Sequence, residues 1–544
     1  MPITELFHRL NERLFVSRLK TVDESYISKR VLHDNWISKL NVTLCGVGIV
    51  ILGEYSGWNF GLSYGWGSLI VASVIINVYY WCLLLCLSEL SSAMPFSGGV
   101  FTFTAASMGN VFSYIIGLMT FMKILLAYSQ TVLVINNYYI ALANFSPDQI
   151  QIWKYFICAF IILICSILTA DLKIFYRVMA VISGIAILGI VAVFFLLIPI
   201  FARSDFLANI GILDWSTILP DGITGVLNCI PYAIWIFIGI EDLPNIAEEV
   251  KNPSKNLPKG ILYGFLIISI LGFMVLIMTG ANPGINVIQT SAEPIFDLLT
   301  INYAINAESF GGQLLRWILT SGAWSTLIGV AMSNLRITYS LSRGGYFPTY
   351  LSLTYQNGDK DSIGYGSPIY ATIFSGLGCY GMVIVSFFLV DTNMITFFIY
   401  GSAFYSVTAS IIIFTTYIIL KVKSPHLDRP FTISNTYISL GVPILGLGIS
   451  FFAIAGFFIS NPNNEILLWT LGIQIIVSVL YYIFFVRHRL IMSVEQKFIK
   501  ARISKMKDET IRKHQMSRAK NELHTVIKAT AKSSTKHNIK SSTG

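Results

Sequence analysis

Ile230-Pro-Tyr-Ala-Ile-Trp-Ile-Phe-Ile-Gly-Ile-Glu-Asp-Leu-Pro244 begins as an apolar helix and loses that character halfway. Gly239, the adjacent carboxylates Glu241 and Asp242, and Pro244 fall near the middle of a run that is otherwise suited to lipid. Glycine lowers helix propensity by about 1 kcal/mol relative to alanine, and proline by about 3. A second run, Gly46-Val-Gly-Ile-Val-Ile-Leu-Gly-Glu-Tyr-Ser-Gly-Trp-Asn-Phe-Gly61, has the same defect, with glycines on both sides of Glu54. Backbone groups freed by a break in lipid must find partners, so a break survives only where it lines a polar cavity or is buried in protein.

Working outward, twelve apolar spans fill the chain, at roughly 40–63, 67–93, 110–142, 152–170, 175–201, 223–248, 259–281, 314–341, 368–390, 393–421, 437–459 and 465–486. Each is near the length of about 20 residues that crosses a bilayer as a helix. The third is long enough to be tilted or extended at one end. The two interrupted spans are the first and the sixth, five apart. Interrupted helices at matching positions of two halves point to a carrier built from inverted repeats, with its binding site at the midplane. The expected fold class is therefore an all-α membrane protein with about twelve transmembrane helices. Spans 1 and 6 are broken, and two helices are additional to a five-plus-five repeat.

Composition agrees. Of 544 residues, 54% are hydrophobic and 12% charged, against about 25% charged in a soluble domain. Mean hydropathy is +0.68. Residues 1–39 lack an apolar core, so no cleavable signal peptide is expected there. The cysteines Cys45, Cys82, Cys86, Cys158, Cys165, Cys229 and Cys379 all fall in or beside apolar segments and form no CxxC pair. They read as small buried hydrophobes, with neither disulfide nor metal implied.

Charge is unevenly placed. From Arg487 onward there are 15 Lys and Arg against 4 Asp and Glu, which leaves the rest of the +9 chain slightly acidic. Cations also gather in alternate loops: Lys173 and Arg177; Lys251, Lys255 and Lys259; Arg336, Arg343 and Lys360; Lys421, Lys423 and Arg429. The intervening loops hold only Lys154, Arg203 and Arg316, beside Asp205, Asp214, Asp221, Glu293, Asp297 and Glu308. The positive-inside rule then puts both termini in the cytoplasm. The expected organisation is a cytoplasmic N-terminal tail at 1–39, a transporter domain at 40–486, and a basic, partly disordered cytoplasmic tail at 487–544. A basic tail beside a membrane faces anionic lipid; nucleic acid is not an expected partner. A plasma membrane or bacterial inner membrane is the expected location.

An ionised carboxylate at bilayer depth costs at least about 2.5–3.5 kcal/mol. Three of them beside two helix breaks therefore suggest that a cation or a proton is accommodated there. Glu54 and Glu241 are the candidates to face a substrate ammonium; capping of a half-helix is the rival role. Gly53, Ser56, Gly57 and Gly239 would add backbone and hydroxyl contacts, or close packing of helices. Tyr55, Trp58 and Trp235 would form an aromatic wall, or simply core. Lys123, alone in span 3, is a candidate for gating or ion coupling, as are Asp242 and, in span 8, Ser333 and Asn334. Lys123 would pair with one of the carboxylates, or snorkel. Glu89, Glu248 and Glu249 read as latches at the cytoplasmic edge. The sequence holds no P-loop, GxSxG or HExxH motif, so an enzyme is not expected.

Three further runs carry a resemblance. With Gly53 to Leu62 they are Leu87-Ser-Glu-Leu-Ser-Ser-Ala-Met-Pro-Phe-Ser-Gly-Gly99, Ala247-Glu-Glu-Val-Lys-Asn-Pro253 and Leu257-Pro-Lys-Gly260. Together they resemble the amino acid–polyamine–organocation superfamily over residues 35 to about 490, and Arg336 to Pro348 resembles its loop after span 8. Ser56-Gly-Trp-Asn-Phe-Gly61 is closest to the ethanolamine permease branch. The resemblance implies secondary active transport of amino acids or small amines such as ethanolamine, by alternating access about the two breaks and without a cofactor. Two departures stand out. The branch usually reads Tyr-Gly-Phe-Ala-Arg after Gly99, where this chain has Val-Phe-Thr-Phe-Thr-Ala. Some proton-coupled relatives carry a lysine inside span 5, where this chain has Lys173 and Arg177 only at the edge. Coupling to H+ or to Na+ stays open. The alternative to a carrier is a transporter-like nutrient sensor that signals through the basic C-terminal tail.

Overall fold

The computed structural model describes most of the chain from Ile37 to Ile491, together with Tyr26, Lys29, Arg30, Leu32 and Lys497. Residues 202–217, 281–284, 356–364, 389–393 and 460–464 and a few single positions lie outside the described residues. So do Arg203, Asp205, Asp214 and Lys360 of the charge pattern, and nearly all of both tails.

Among the described residues, ten helices are long and apolar enough to cross a membrane, and two shorter apolar helices stand at the first and last spans. The chain is an all-α membrane protein. Spans 2, 3, 4 and 5 are Trp66–Ala93, Asn110–Ala143, Pro147–Ala170 and Leu172–Phe201. Spans 7 to 12 are Pro253–Gly280, Ser321–Arg343, Ile369–Phe388, Met394–Lys423, Thr436–Ile459 and Glu465–Phe484. Span 3, at 34 residues, is the long helix that its apolar run predicts. Local chemistry sets several starts. Ser38 caps span 1 by accepting from the Asn41 N–H, and Ser146 forms a capping box with Gln149, with Pro147 in the first turn. Short helices at Gly99–Ser107 and Pro294–Tyr303 lie outside the spans read from sequence, and the first residues read into span 8 belong to a separate short helix, Phe310–Leu319.

Packing follows a two-fold rule. Span 1 packs on spans 7 and 5, as span 6 packs on spans 2 and 10. Span 8 packs on span 5 as span 3 does on span 10, and span 9 on span 3 as span 4 does on span 8. Exchanging each of spans 1–5 with the span five places later maps these pairs onto one another, which is the contact pattern of a five-plus-five repeat. Burial is graded to match. In span 6, 89% of the apolar window is buried inside the protein, against 28% in span 4. Phe156, Phe160, Leu163 and Ile167 of span 4 point outward as a lipid-facing stripe, while span 6 is the axis of the bundle.

The segments that flank the first and last spans meet on one side. Tyr26 Oη donates to the Arg343 carbonyl at 3.2 Å, and the Ile491 N–H to the Gly344 carbonyl at 3.2 Å. The Ile37 N–H donates to the Glu249 carbonyl at 3.0 Å. This is termed the tail side below.

Candidate functional site

Both predicted breaks are present. Span 1 is helical over Lys39–Val50, makes a further turn at Leu52–Tyr55, and becomes extended at Ser56 (φ −161°, ψ 154°). Gly57 then takes φ +98° before a 3-10 segment, Trp58–Tyr64. Span 6 is helical over Gly222–Phe237, extended at Ile238, and left-handed at Gly239 (φ +114°), and continues as a 3-10 segment, Ile240–Glu249. Positive φ favours glycine at both turns. The two breaks also touch. A Cβ at Gly53 would lie 2.5 Å from the Trp235 carbonyl oxygen, so only glycine permits that approach. Trp235 Nε1 donates to the Ser56 carbonyl at 3.0 Å. Span 8 staples the first break: Thr326 Oγ1 accepts from the Leu52 N–H at 2.9 Å and donates to the Gly48 carbonyl at 3.0 Å.

Between the breaks lies a cavity of about 20 Å³, room for about one water. Gly53, Trp235, Gly239, Lys123 and Thr326 line it, with Ile49, Val50, Leu52, Ala127, Ile238 and Val330 supplying aliphatic walls. Of the residues expected to form the site, Gly53, Trp235, Gly239 and Lys123 are therefore brought together.

The other expected site residues do not line this cavity. Lys123 Nζ donates to Glu241 Oε1 at 3.0 Å and to Asp242 Oδ1 at 2.7 Å, with all three side chains buried. Glu241 also accepts from Ser406 Oγ at 2.9 Å and from the Gly239 N–H at 2.8 Å. It is the hub of a network joining spans 3, 6 and 10 and does not line the cavity. Asp242, one residue on, shares the same ammonium. Glu54 turns to span 7, where a Cβ at Gly272 would come within 3.0 and 3.2 Å of its two carboxylate oxygens. Tyr55 packs against Gly322 and donates to the Ala186 carbonyl at 2.7 Å, so it serves the span 1–span 5 contact. Ser56 and Gly57 shape the turn: Ser56 Oγ donates to the Ala292 carbonyl at 3.3 Å, and the Gly57 N–H to Asn59 Oδ1 at 3.0 Å. Trp58 is core, with Nε1 donating to the Glu54 carbonyl at 3.1 Å. Ser333 and Asn334 lie two turns along span 8 from Thr326. The Asn334 amide is engaged by Ser375 Oγ at 2.5 Å, in the packing of spans 8 and 9. The reason is common to all: neighbours in sequence point about 100° apart around a helix, and only packing fixes which one faces inward.

Thr326 and the aliphatic lining residues, Ala127 among them, escaped the sequence reading. Thr326 carries no motif, and Ala127 has no polar atom. Spacing was the available signal, since Lys123, Ala127 and Gln130 form one stripe at i, i+4 and i+7. The Gln130 amide is buried on span 3 and has no partner among the described residues.

The edge carboxylates are latches, as expected. Glu248 meets Arg343 at 2.5 Å and the Ser97 N–H at 3.1 Å. Glu249 meets Arg336 at 2.5 Å and Tyr176 Oη at 2.6 Å. Glu89 meets Lys421 at 2.5 Å, Arg429 at 3.3 Å and Tyr417 Oη at 2.8 Å.

A membrane-embedded helical repeat whose two broken helices meet at a central cavity defines a secondary-transporter architecture. Residues 37–485 match the amino acid permease family, and the chain belongs to it, within the amino acid–polyamine–organocation superfamily. It is a permease and not an enzyme. An uncharacterised transporter of Rhizobium meliloti is 27% identical over 57% of this chain and 65% of its own length. A branched-chain amino acid permease of Bacillus subtilis is 25% identical over 76% of this chain and 86% of its own length. A methylthioribose transporter of the same organism is 23% identical over 84% and 94%.

Proposed function

We propose that the chain carries a neutral amino acid with an aliphatic side chain, bound between the breaks of spans 1 and 6. The observation that carries this reading is the meeting of the two breaks at a cavity with a predominantly aliphatic lining, which holds about one water as it stands and widens to take an amino acid when the half-helices part. The first half of span 6 ends there, and the last carbonyls of a helix lack intrahelical donors and attract a cation. They receive the substrate ammonium. Backbone N–H groups at the break of span 1, on either side of the Leu52–Tyr55 turn, receive the carboxylate. Ile49, Val50, Ile238 and Val330 face the side chain. Swinging of the half-helices about Gly57 and Gly239 opens the site to each side in turn, and the tail side, with its basic loops, is cytoplasmic. The branched-chain substrate in the name of the Bacillus relative fits these walls.

The test is uptake by the full chain in proteoliposomes, run with leucine, valine, lysine and ethanolamine. Saturable leucine or valine counterflow exceeding that of lysine and ethanolamine is the expected result. Ethanolamine has the ammonium but neither carboxylate nor aliphatic side chain, so counterflow of ethanolamine alone would overturn the reading.

A further inference from the structure

Glu54 is 1% exposed, and neither carboxylate oxygen has a hydrogen-bond partner among the described residues. Such a group is costly to bury: a buried polar atom without a partner costs about 1–3 kcal/mol, and more when charged. It is not left over from a structural pair, because Lys123, the one buried ammonium at this depth among the described residues, is committed to Glu241 and Asp242. Nor does Glu54 line the cavity between the breaks, so it is not placed to hold the substrate ammonium there.

Five elements pack against its turn: the first halves of spans 1 and 6, and spans 5, 7 and 8; the cations of span 5, Lys173 and Arg177, lie in its first two turns. The first half of span 6 carries no charged residue. Lys39 of span 1, Lys255 and Lys259 of span 7, and Arg336 and Arg343 of span 8 all stand toward the tail-side ends of their helices, turns away. On its own turn the ionisable neighbour is Tyr55, whose hydroxyl donates to the Ala186 carbonyl. Facing the carboxyl are Gly272 and Ile236. A metal cation demands several oxygen ligands, whereas these side chains offer a hydrogen atom and methyl groups. A proton needs only the carboxyl itself.

We propose that Glu54 is the coupling-proton site of this permease. The proton binds a carboxylate oxygen and neutralises it inside the closed bundle. It leaves when movement of span 1 about Ser56 and Gly57 brings the Leu52–Tyr55 turn to water. One positive charge then accompanies each zwitterionic substrate, with no metal required. This inference rests on the transport reading.

The full chain in proteoliposomes tests it through two readouts: counterflow at equal pH, and accumulation driven by an inward proton gradient in sodium-free buffer. The wild type is expected to concentrate leucine under the gradient and to pass inward current with it. Glu54→Gln is expected to lose accumulation, with leucine reaching equal concentrations inside and out, while counterflow falls far less. Glu54→Asp is expected to regain part of the accumulation. Accumulation by Glu54→Gln equal to the wild type overturns the proposal. So does wild-type counterflow without proton-driven accumulation or current, a result that needs no variant to fold and leaves the transport reading standing. Absence of wild-type counterflow for every amino acid overturns that reading and, with it, the proton site.

Discussion

Two sets of carboxylates face the interior of this bundle, and their charge balance is opposite. On the tail side, Glu89, Glu248 and Glu249 meet Lys421, Arg429, Arg343 and Arg336, with tyrosine hydroxyls or backbone N–H groups taking further lone pairs. At the breaks, Glu241 and Asp242 share the ammonium of Lys123, and neither carboxylate oxygen of Glu54 has a partner among the described residues. A fixed cation beside each acid makes a latch that closes only one way. Acids in excess over cations at the centre make a place where a mobile positive charge changes the energy. Carboxylates serve as fasteners in one region and as a receptor for charge in the other.

The largest expected effect breaks the fastened set. Arg336 is fully buried against Glu249. Replacing it with methionine strands the carboxylate, and breaking a buried pair in that way costs about 3–5 kcal/mol. Arg336→Met is expected to lower the melting temperature and the yield sharply in detergent, and Arg336→Met with Glu249→Gln to recover most of the loss. An Arg336→Met protein as stable as the wild type would erase the distinction between the two sets.

A comparable effect is expected at the centre. Lys123→Met leaves Glu241 its bonds from Ser406 and Gly239 but strips Asp242 of its ammonium, so the loss is again about 3–5 kcal/mol. Adding Glu241→Gln and Asp242→Asn is expected to restore melting temperature but not transport, since the excess of acids over cations then falls from two to one. Restored transport in the triple variant would show that charge imbalance at the breaks is incidental.

The smallest effect concerns a pair away from both sets, Glu293 and Arg316 on the side opposite the tails, 2.7 Å apart. Burial raises the Glu293 carboxyl above its ordinary range, with Arg316 acting against the shift. A carboxyl whose folded-state value is raised binds its proton more tightly in the native protein. Its contribution to stability is therefore most favourable at low pH and declines as pH rises through that raised value. The melting temperature of Glu293→Gln relative to wild type is expected to climb as pH goes from about 4 to about 7. A relative value that falls over that range would mean that the guanidinium outweighs burial.

The sequence by itself determined the number of spans, their limits to a few residues, and the two places where helices give way. These are local matters: an apolar run of bilayer length has no alternative to a helix in lipid, and Gly57 and Gly239 take positive φ because side-chain-bearing residues resist it. The latch acids were legible too, because they stand at span ends among basic residues. Tertiary structure alone decided which acid meets Lys123, that Thr326 staples a break 274 positions away, and that Glu54 turns toward Gly272 instead of the cavity. Those outcomes depend on how each helix is rotated about its axis. That rotation is set by the packing of many distant side chains together and leaves no mark in any one stretch of sequence.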